Sequence, residues 1–198
     1  MENSAGNIYE NVYDVLFQPR TAMRRIAENR VIGQALAVFT VSAVIPIWAV
    51  YFGLKAAGMS KAVDIIIFVH VLGSLVVWLL GAAIWHMIAE FFGGRGTALG
   101  LLAALGFAQF PRIFIVPLWV LAALMPPGIR PLLMVLAGLI IMVWALALDV
   151  TAIRESHGIS GAKAVLVLLT PMLAIMVLAA ISVALISTAI TRWPFFGS

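Results

Sequence analysis

Five long apolar stretches, separated by short polar gaps, constrain this chain more than any other feature of its sequence. They are the segments Ile32–Phe52, Val63–Ile88, Ala98–Leu124, Leu132–Ile153 and Ala164–Ile190. Each has at least the roughly 20 residues that an α-helix needs to cross a hydrocarbon core about 30 Å thick. Because lipid offers no hydrogen-bond partners, a lone spanning segment must satisfy its own backbone, which favours helix. The sequence therefore predicts an all-α, polytopic membrane protein with five transmembrane helices.

Composition agrees with that fold class and excludes several functions. The chain is 64% hydrophobic and 10% charged, whereas charged residues make up about a quarter of a typical soluble domain. The net charge is +4, but the basic residues lie in the gaps and near the N-terminus, without the clustered basic face of a nucleic-acid-binding protein. The absence of cysteine from the sequence excludes disulfides, thiol catalysis and cysteine-ligated metals.

The chain divides into an N-terminal segment, residues 1–30, and the five-helix bundle, residues 31–198. Apolar side chains in the N-terminal segment recur at helical spacing, and its four arginines lie elsewhere on the surface: Arg20, Arg24, Arg25 and Arg30. This pattern predicts an amphipathic helix at the membrane interface, with its apolar face among acyl chains and the four arginines binding anionic headgroups. The alternative is an ordered cap that packs on the bundle.

The distribution of lysine and arginine around the spans predicts the orientation. Seven of these residues lie on the side of the N-terminus and four on the opposite side, with Arg112 inside a span. Basic residues near span ends are enriched on the cytoplasmic side. We therefore expect a cytoplasmic N-terminus and, after five passes, a C-terminus on the outside.

Arg112 is the most unusual residue of the predicted spans. It lies in the middle of the third stretch, about 21 Å from its start and about 18 Å from its end at about 1.5 Å per residue. Pro111 precedes it and Pro117 follows, which predicts a kinked helix with backbone carbonyls freed nearby. A guanidinium at this depth requires a carboxylate, free carbonyl groups or a wet cavity.

Three further polar residues join Arg112 in a predicted intramembrane cluster. Gln109 lies on the same span, and Asp64 and His70 on the second span could approach if that helix tilts. One interpretation is a structural clamp between the second and third spans. The other is a polar cavity for a lipid headgroup or another anion.

The remaining ionisable residues give weaker signals. His86 and Glu90 are four residues apart and hence on one helix face, but one histidine and one carboxylate make only a partial metal site. Glu90 and Asp149, like Asp64, lie near span ends and are interpreted as solvated, and His157 is predicted in a loop. Since no catalytic motif is present, the sequence predicts no enzyme, no metal and no cofactor.

Several motifs resemble the Yip family of five-span membrane proteins, named for interaction with Ypt/Rab GTPases, and specifically its prokaryotic branch. They are Phe17–Ile26 before the first span, Gly93–Gly96 followed by Leu105–Pro111, and Glu155–Ala164 after Trp144. The likeness covers roughly residues 15–190. It implies five spans, a cytosolic N-terminus and, for the prokaryotic branch, the bacterial inner membrane. The Asp-Leu-Tyr-Gly-Pro motif of the eukaryotic branch is missing, so GTPase binding is not carried over.

Three functions are compatible with the sequence. The first is a non-enzymatic integral membrane protein that organises its bilayer or acts as an accessory or scaffold for a membrane complex. The second is a small transporter, channel or lipid scramblase with a polar route at Arg112. The third is a lipid enzyme that uses His86, Glu90 or Asp149. The expected partners are membrane lipids and a membrane-protein complex or a second copy of the chain, without nucleic acid.

Overall fold

A computed structural model describes the backbone of residues 6–56 and 60–192 and, within these ranges, all side chains except those of residues 53, 56, 60–64 and 189–192. All regular secondary structure in the described part is helical. The helices are α1 (Ile8–Phe17), α2 (Pro19–Asn29), α3 (Ile32–Ala56), α4 (Ser60–Phe91), α5 (Ala98–Ala108), α6 (Ile115–Ala123), α7 (Arg130–His157) and α8 (Gly161–Arg192), with a 3-10 helix at Phe110–Phe114 between α5 and α6.

Five helical stretches of the described residues are long and apolar enough to cross a membrane, which confirms the predicted all-α, five-span fold. They are α3, α4, the run from α5 to α6, α7 and α8. The predicted turn between the first two spans lies mostly outside the described residues. α7 continues past the predicted end to His157, where Gly158 adopts the left-handed conformation (φ 65°) that terminates helices. The prediction that His157 lies in a loop is therefore wrong.

The first half of the third span, α5, forms the centre of the bundle. Eight of its eleven residues are buried, against α2, α3, α4 and α7. α3 approaches so closely that a Cβ on Gly106 would lie 2.8 Å from the carbonyl oxygen of Ala35. Trp78 of α4 lies beside the same contact: it stacks on Phe39 of α3 with ring centroids 4.6 Å apart and donates from Nε1 to the carbonyl of Leu102 at 3.2 Å.

The two ends of the bundle are packed differently. The capped half comprises α1, α2, α5, the first turns of α3 and α8 and the last turns of α4 and α7. The open half comprises α6, residues 65–72 of α4 and residues 172–188 of α8. Only Ala122 is buried in α6, and every residue of the two other open-half segments is half-buried or exposed. Close packing is thus most extensive at the end that the N-terminal helices cover, although Ile47 of α3 and Ala137 and Ile141 of α7 are also buried.

The N-terminal segment folds as two helices whose apolar residues face the bundle. Met23 and Ile26 of α2 are fully buried, and α2 packs on α5 and α7. This is the arrangement expected of the cap alternative. The opposite face of α1 exposes Tyr9, Tyr13 and Phe17, and aromatic residues of this kind are typical of membrane interfaces. Contact of this segment with the bilayer surface stays a prediction.

A polar network ties the two N-terminal helices to the first span. Arg25 donates to Asp14 at 2.7 Å and to Asn11 at 2.8 Å, and Asn11 in turn donates to Gln34 of α3 at 2.8 Å. Asn11 is fully buried, so this network fixes how α1 and α2 sit on the bundle. Arg25, one of the four arginines predicted to bind headgroups, is already engaged by a carboxylate.

Candidate intramembrane polar site

The third span is interrupted where the sequence has Pro111. Proline has no N–H to donate to the carbonyl four residues back, and its ring crowds that carbonyl, so an α-helix stops there. α5 ends at Ala108, and in the following 3-10 helix the N–H of Arg112 donates to the carbonyl of Gln109 at 3.0 Å. The predicted kink is confirmed as a change of helix type, whereas Pro117 fits within the first turn of α6.

A cavity of about 340 Å³ lies beside this interruption, between α3, α4, α5 and α7. Its polar lining comes from three spans: His70, Ser74, Gln109, Arg112 and Asp149. The other walls are apolar and include Val69, Val77 and Trp78. The cavity therefore combines a few polar groups with apolar surface, as sites for amphiphilic ligands do.

Asp149 and Gln109 form the buried part of the polar lining. Gln109 Nε2 donates to Asp149 Oδ1 at 3.1 Å, and the two residues are 8% and 6% exposed. The expectation that Asp149 reaches water is wrong, because α7 continues for eight residues beyond it, about 12 Å at about 1.5 Å per residue. Gln109 Oε1 has no hydrogen-bond partner within the described part of the chain, which leaves one acceptor beside the cavity.

Arg112 lies at the exposed edge of the same site. It lines the same cavity as Asp149, but its guanidinium has no hydrogen-bond acceptor among the described backbone and side chains, which do not include the side chain of Asp64. It also lines a second cavity, of about 230 Å³, whose other walls come from α7 and include Gly138, Ile141 and Ala145. Arg112 therefore lines two cavities, both of which Asp149 also lines.

The structure brings together three of the four predicted cluster residues: His70, Gln109 and Arg112. The side chain of Asp64 lies outside the described residues, so its membership stays a prediction. Asp149 supplies the carboxylate that sequence reasoning missed. A signal for it exists: Asp149 lies four residues inside the fourth apolar stretch, and an aspartate side chain is too short to snorkel to the surface as lysine and arginine do.

A second polar cluster lies at the capped end. The predicted pair of His86 and Glu90 is confirmed, with Nε2 and Oε1 3.5 Å apart. His86 Nδ1 also lies 3.0 Å from Nε2 of His157, whose Nδ1 is 2.9 Å from the hydroxyl of Ser156. The described residues contain no group of three metal-binding side chains in suitable positions.

The loop between α4 and α5 closes over this second cluster. The N–H of Arg95 donates to the carbonyl of His157 at 3.1 Å. A Cβ on Gly94 would lie 2.9 Å from the Cβ of His157, and one on Gly96 would collide with the carbonyl of Ser156. Two motifs that carry the family resemblance, Gly93–Gly96 and Glu155–Ala164, thus contact each other.

Comparison with known families agrees with this arrangement. The Yip1 domain model matches residues 13–183. This chain belongs to the Yip1 domain family. The resemblance to the Yip family is therefore confirmed, and the Yip1 domain contains the second half of α1, α2, both polar clusters and all five spans up to the last turns of α8. Comparisons with curated proteins and with solved structures find no match. Membership of the prokaryotic branch stays a prediction.

Proposed function

We propose that this Yip1 domain protein is non-enzymatic and organises its bilayer by holding the phosphate of a phospholipid headgroup beside Arg112. The observation that carries the proposal is the exposed guanidinium of Arg112, on a cavity in the middle of the third span. A charge at this depth is costly unless acceptors or water surround it. A phosphate offers two oxygens in the geometry that a guanidinium binds.

The surroundings of Arg112 fit an amphiphile better than a free ion. Asp149 is adjacent and accepts from Gln109, but no described acceptor bonds to the Arg112 guanidinium, so its N–H groups are available to a ligand. Val69 and Val77 of α4 are exposed and form one wall of the cavity. A lipid could therefore approach sideways, with its phosphate at Arg112 and its acyl chains along α4.

The proposal is tested by measuring the phospholipid that remains bound to the full-length protein after mild extraction. Native mass spectrometry of the wild type is expected to show stoichiometric lipid, and Arg112→Leu is expected to lose most of it while circular dichroism stays helical. Arg130→Leu is the matched control, because Arg130 is the first residue of α7 and does not line the cavity. Unchanged lipid in Arg112→Leu, with a lower unfolding temperature, would contradict the proposal and favour a structural clamp.

A second candidate function is lipid or solute translocation. It is favoured by the two cavities that share Arg112 and Asp149, one lined largely by α4 and the other by α7. In liposomes, wild-type protein is then expected to speed exchange of a fluorescent phospholipid between leaflets, and Arg112→Leu to abolish the increase, while Arg130→Leu keeps it. Equal exchange with and without wild-type protein would rule this function out.

The lipid-enzyme hypothesis receives less support from the geometry. His86 and Glu90 lie with His157 at the end of α7, whereas Asp149 lies two turns earlier beside Gln109. Asp149 therefore does not converge with His86 and Glu90 on one reacting atom.

We further propose that the capped half faces the cytoplasm of a bacterial inner membrane, that the C-terminus is outside, and that the exposed faces of the open half contact a membrane complex or a second copy. The excess of basic residues on the N-terminal side supports this orientation. The chain contains no cysteine, so Asn7→Cys and Ser198→Cys can each be labelled with an impermeant maleimide. Labelling of both from the same side would contradict the orientation.

A further inference from the structure

A polar groove of about 430 Å³ crosses the capped end of the bundle, far from the Arg112 cavity. It lies between the C-terminal end of α2, the loop between α4 and α5, and the C-terminal end of α7. Three arginines line the groove: Arg24 of α2, Arg30 at the junction of α2 and α3, and Arg95 of the loop between α4 and α5. Since α3, α5 and α8 begin here and α4 and α7 end here, the groove lies at the level of the lipid headgroups.

The positive charge of the groove is only partly compensated. Arg24 pairs with Glu28 at 3.6 Å, but both side chains are mostly exposed, so solvent weakens the pair. Glu155 is engaged by Arg154 at 3.4 Å. Arg30 and Arg95 have no carboxylate within 4 Å in the described part of the chain. Two guanidinium groups therefore face the groove with their donors available.

Arg30 has an unusual backbone conformation for an arginine. It ends α2 with φ 49° and ψ 47°, and it is the one non-glycine residue with positive φ among the described residues. Glycine or asparagine is the usual residue at such a position, since a larger side chain crowds the backbone there. A strained conformation of this kind points to use of the side chain, and the side chain lines the groove.

The N-terminus of α5 adds favourable electrostatics. Thr97 caps this eleven-residue helix, its hydroxyl accepting from the N–H of Gly100 at 3.1 Å, and both residues line the groove. The free N–H groups of a first helical turn carry partial positive charge and favour an anion. This contribution adds to that of the arginines and does not replace it.

We propose that this groove binds a phosphate group at the membrane surface, through Arg30 and Arg95 with help from Arg24. The phosphate belongs either to an anionic phospholipid of the adjacent leaflet or to a water-soluble phosphate ester. Of the four arginines predicted from the sequence to bind headgroups, only Arg24 and Arg30 belong to this site. Arg25 is paired with Asp14, and Arg20 lies outside the groove. It is independent of the Arg112 cavity and stands if that proposal fails.

The test uses full-length protein and two probes. The first is a nanodisc of phosphatidylcholine with or without phosphatidylglycerol, in which enrichment of phosphatidylglycerol around the protein is measured. The second is inorganic phosphate, titrated against the protein in pure phosphatidylcholine nanodiscs and followed by ³¹P NMR line width. Arg95→Gln and Arg30→Gly are compared with Arg20→Gln, which removes an exposed α2 arginine that does not line the groove.

Each groove variant is expected to weaken phosphate binding about tenfold, because one charge-assisted hydrogen bond is lost. Arg30→Gly is expected to keep or raise the unfolding temperature, because glycine adopts the left-handed conformation without strain, so weaker binding cannot be ascribed to unfolding. An effect on phosphatidylglycerol alone identifies a lipid headgroup, and an effect on inorganic phosphate as well identifies a soluble phosphate. Equal losses in Arg20→Gln and Arg95→Gln, or unchanged binding in both groove variants, would overturn the proposal.

Discussion

The capped half and the open half of this bundle pack in different ways. In the capped half, α5 is buried among four other helices. In the open half, α6 and residues 172–188 of α8 leave most of their surface exposed. Lipid is as apolar as a leucine side chain, so hydrophobicity alone does not bring membrane helices together. What differs between the halves is how closely their backbones can approach.

Glycine accounts for much of that difference. Among the described glycines, a Cβ would come within 3 Å of a neighbouring atom only at Gly94, Gly96, Gly100 and Gly106, all in the capped half. Gly73, Gly128 and Gly138, farther toward the open half, have no neighbour within 4 Å, as is also true of some glycines at the capped end, namely Gly33, Gly93, Gly158 and Gly161. The polar site at Arg112 lies where close packing ends. Packed helices fix Gln109 and Asp149 on one side, and lipid can reach Arg112 from the other.

The largest difference between the halves is expected for tryptophan truncation. Trp78→Ala removes the stack on Phe39 and the hydrogen bond to Leu102. It is expected to lower the free energy of unfolding by about 3 kcal/mol. This value is at the lower end of the range for buried tryptophan, because the surrounding membrane is already apolar. Trp48→Ala, at an exposed residue of α3, is expected to cost less than about 1 kcal/mol. Equilibrium unfolding in mixed micelles measures both. Equal losses would mean that the capped half is not the better packed.

A pair of glycine substitutions is expected to change the free energy of unfolding by smaller amounts, with opposite signs for the two members of the pair. Gly106→Ala forces α5 away from the carbonyl of Ala35 and is expected to destabilise by about 1 to 3 kcal/mol. Gly138→Ala meets nothing within 4 Å and is expected to stabilise by up to about 1 kcal/mol, since alanine favours helix. The same unfolding measurement applies. Stabilisation by Gly106→Ala would show that α3 and α5 are farther apart than described.

The smallest effect is expected on the stability with which α1 and α2 pack on the rest of the bundle. Asp14→Asn weakens the bond from Arg25, which is partly buried, and is expected to cost about 1 kcal/mol. Glu28→Gln removes the exposed partner of Arg24 and is expected to cost less than about 0.5 kcal/mol. Hydrogen exchange of α1 and α2 reports both losses. Faster exchange in Glu28→Gln than in Asp14→Asn would refute this assignment of the two pairs.

The sequence predicted the spans because lipid imposes one requirement on every crossing segment, namely a satisfied backbone and an apolar surface. It also predicted the break near Arg112, since proline acts locally. The end of α7 was missed, although Gly158 is a C-terminal signal that places His157 in the last turn. Local chemistry of this kind can be deduced from neighbouring residues alone.

The partners of the polar residues could not be predicted in the same way. Gln109 and Asp149 are 40 residues apart, and their contact depends on which faces of α5 and α7 meet. The engagement of Arg25 by Asp14 likewise depends on the angle between α1 and α2. Hydropathy cannot specify these faces, because nearly every position of a span is apolar. The contacts between glycine and backbone carbonyls that do specify them appear only in the folded chain.

The central claim is that Arg112 contacts a lipid phosphate inside the membrane. It is tested most directly by solid-state NMR of ¹⁵N-arginine-labelled protein in phospholipid bilayers, through the ¹⁵N–³¹P dipolar coupling. Arg30→Gly and Arg95→Gln are combined in the sample, so that the groove contributes less, and the remaining arginines are the same in both samples compared. We predict that the guanidinium–phosphate coupling falls when Arg112→Leu is added. An unchanged coupling in that variant would contradict the account.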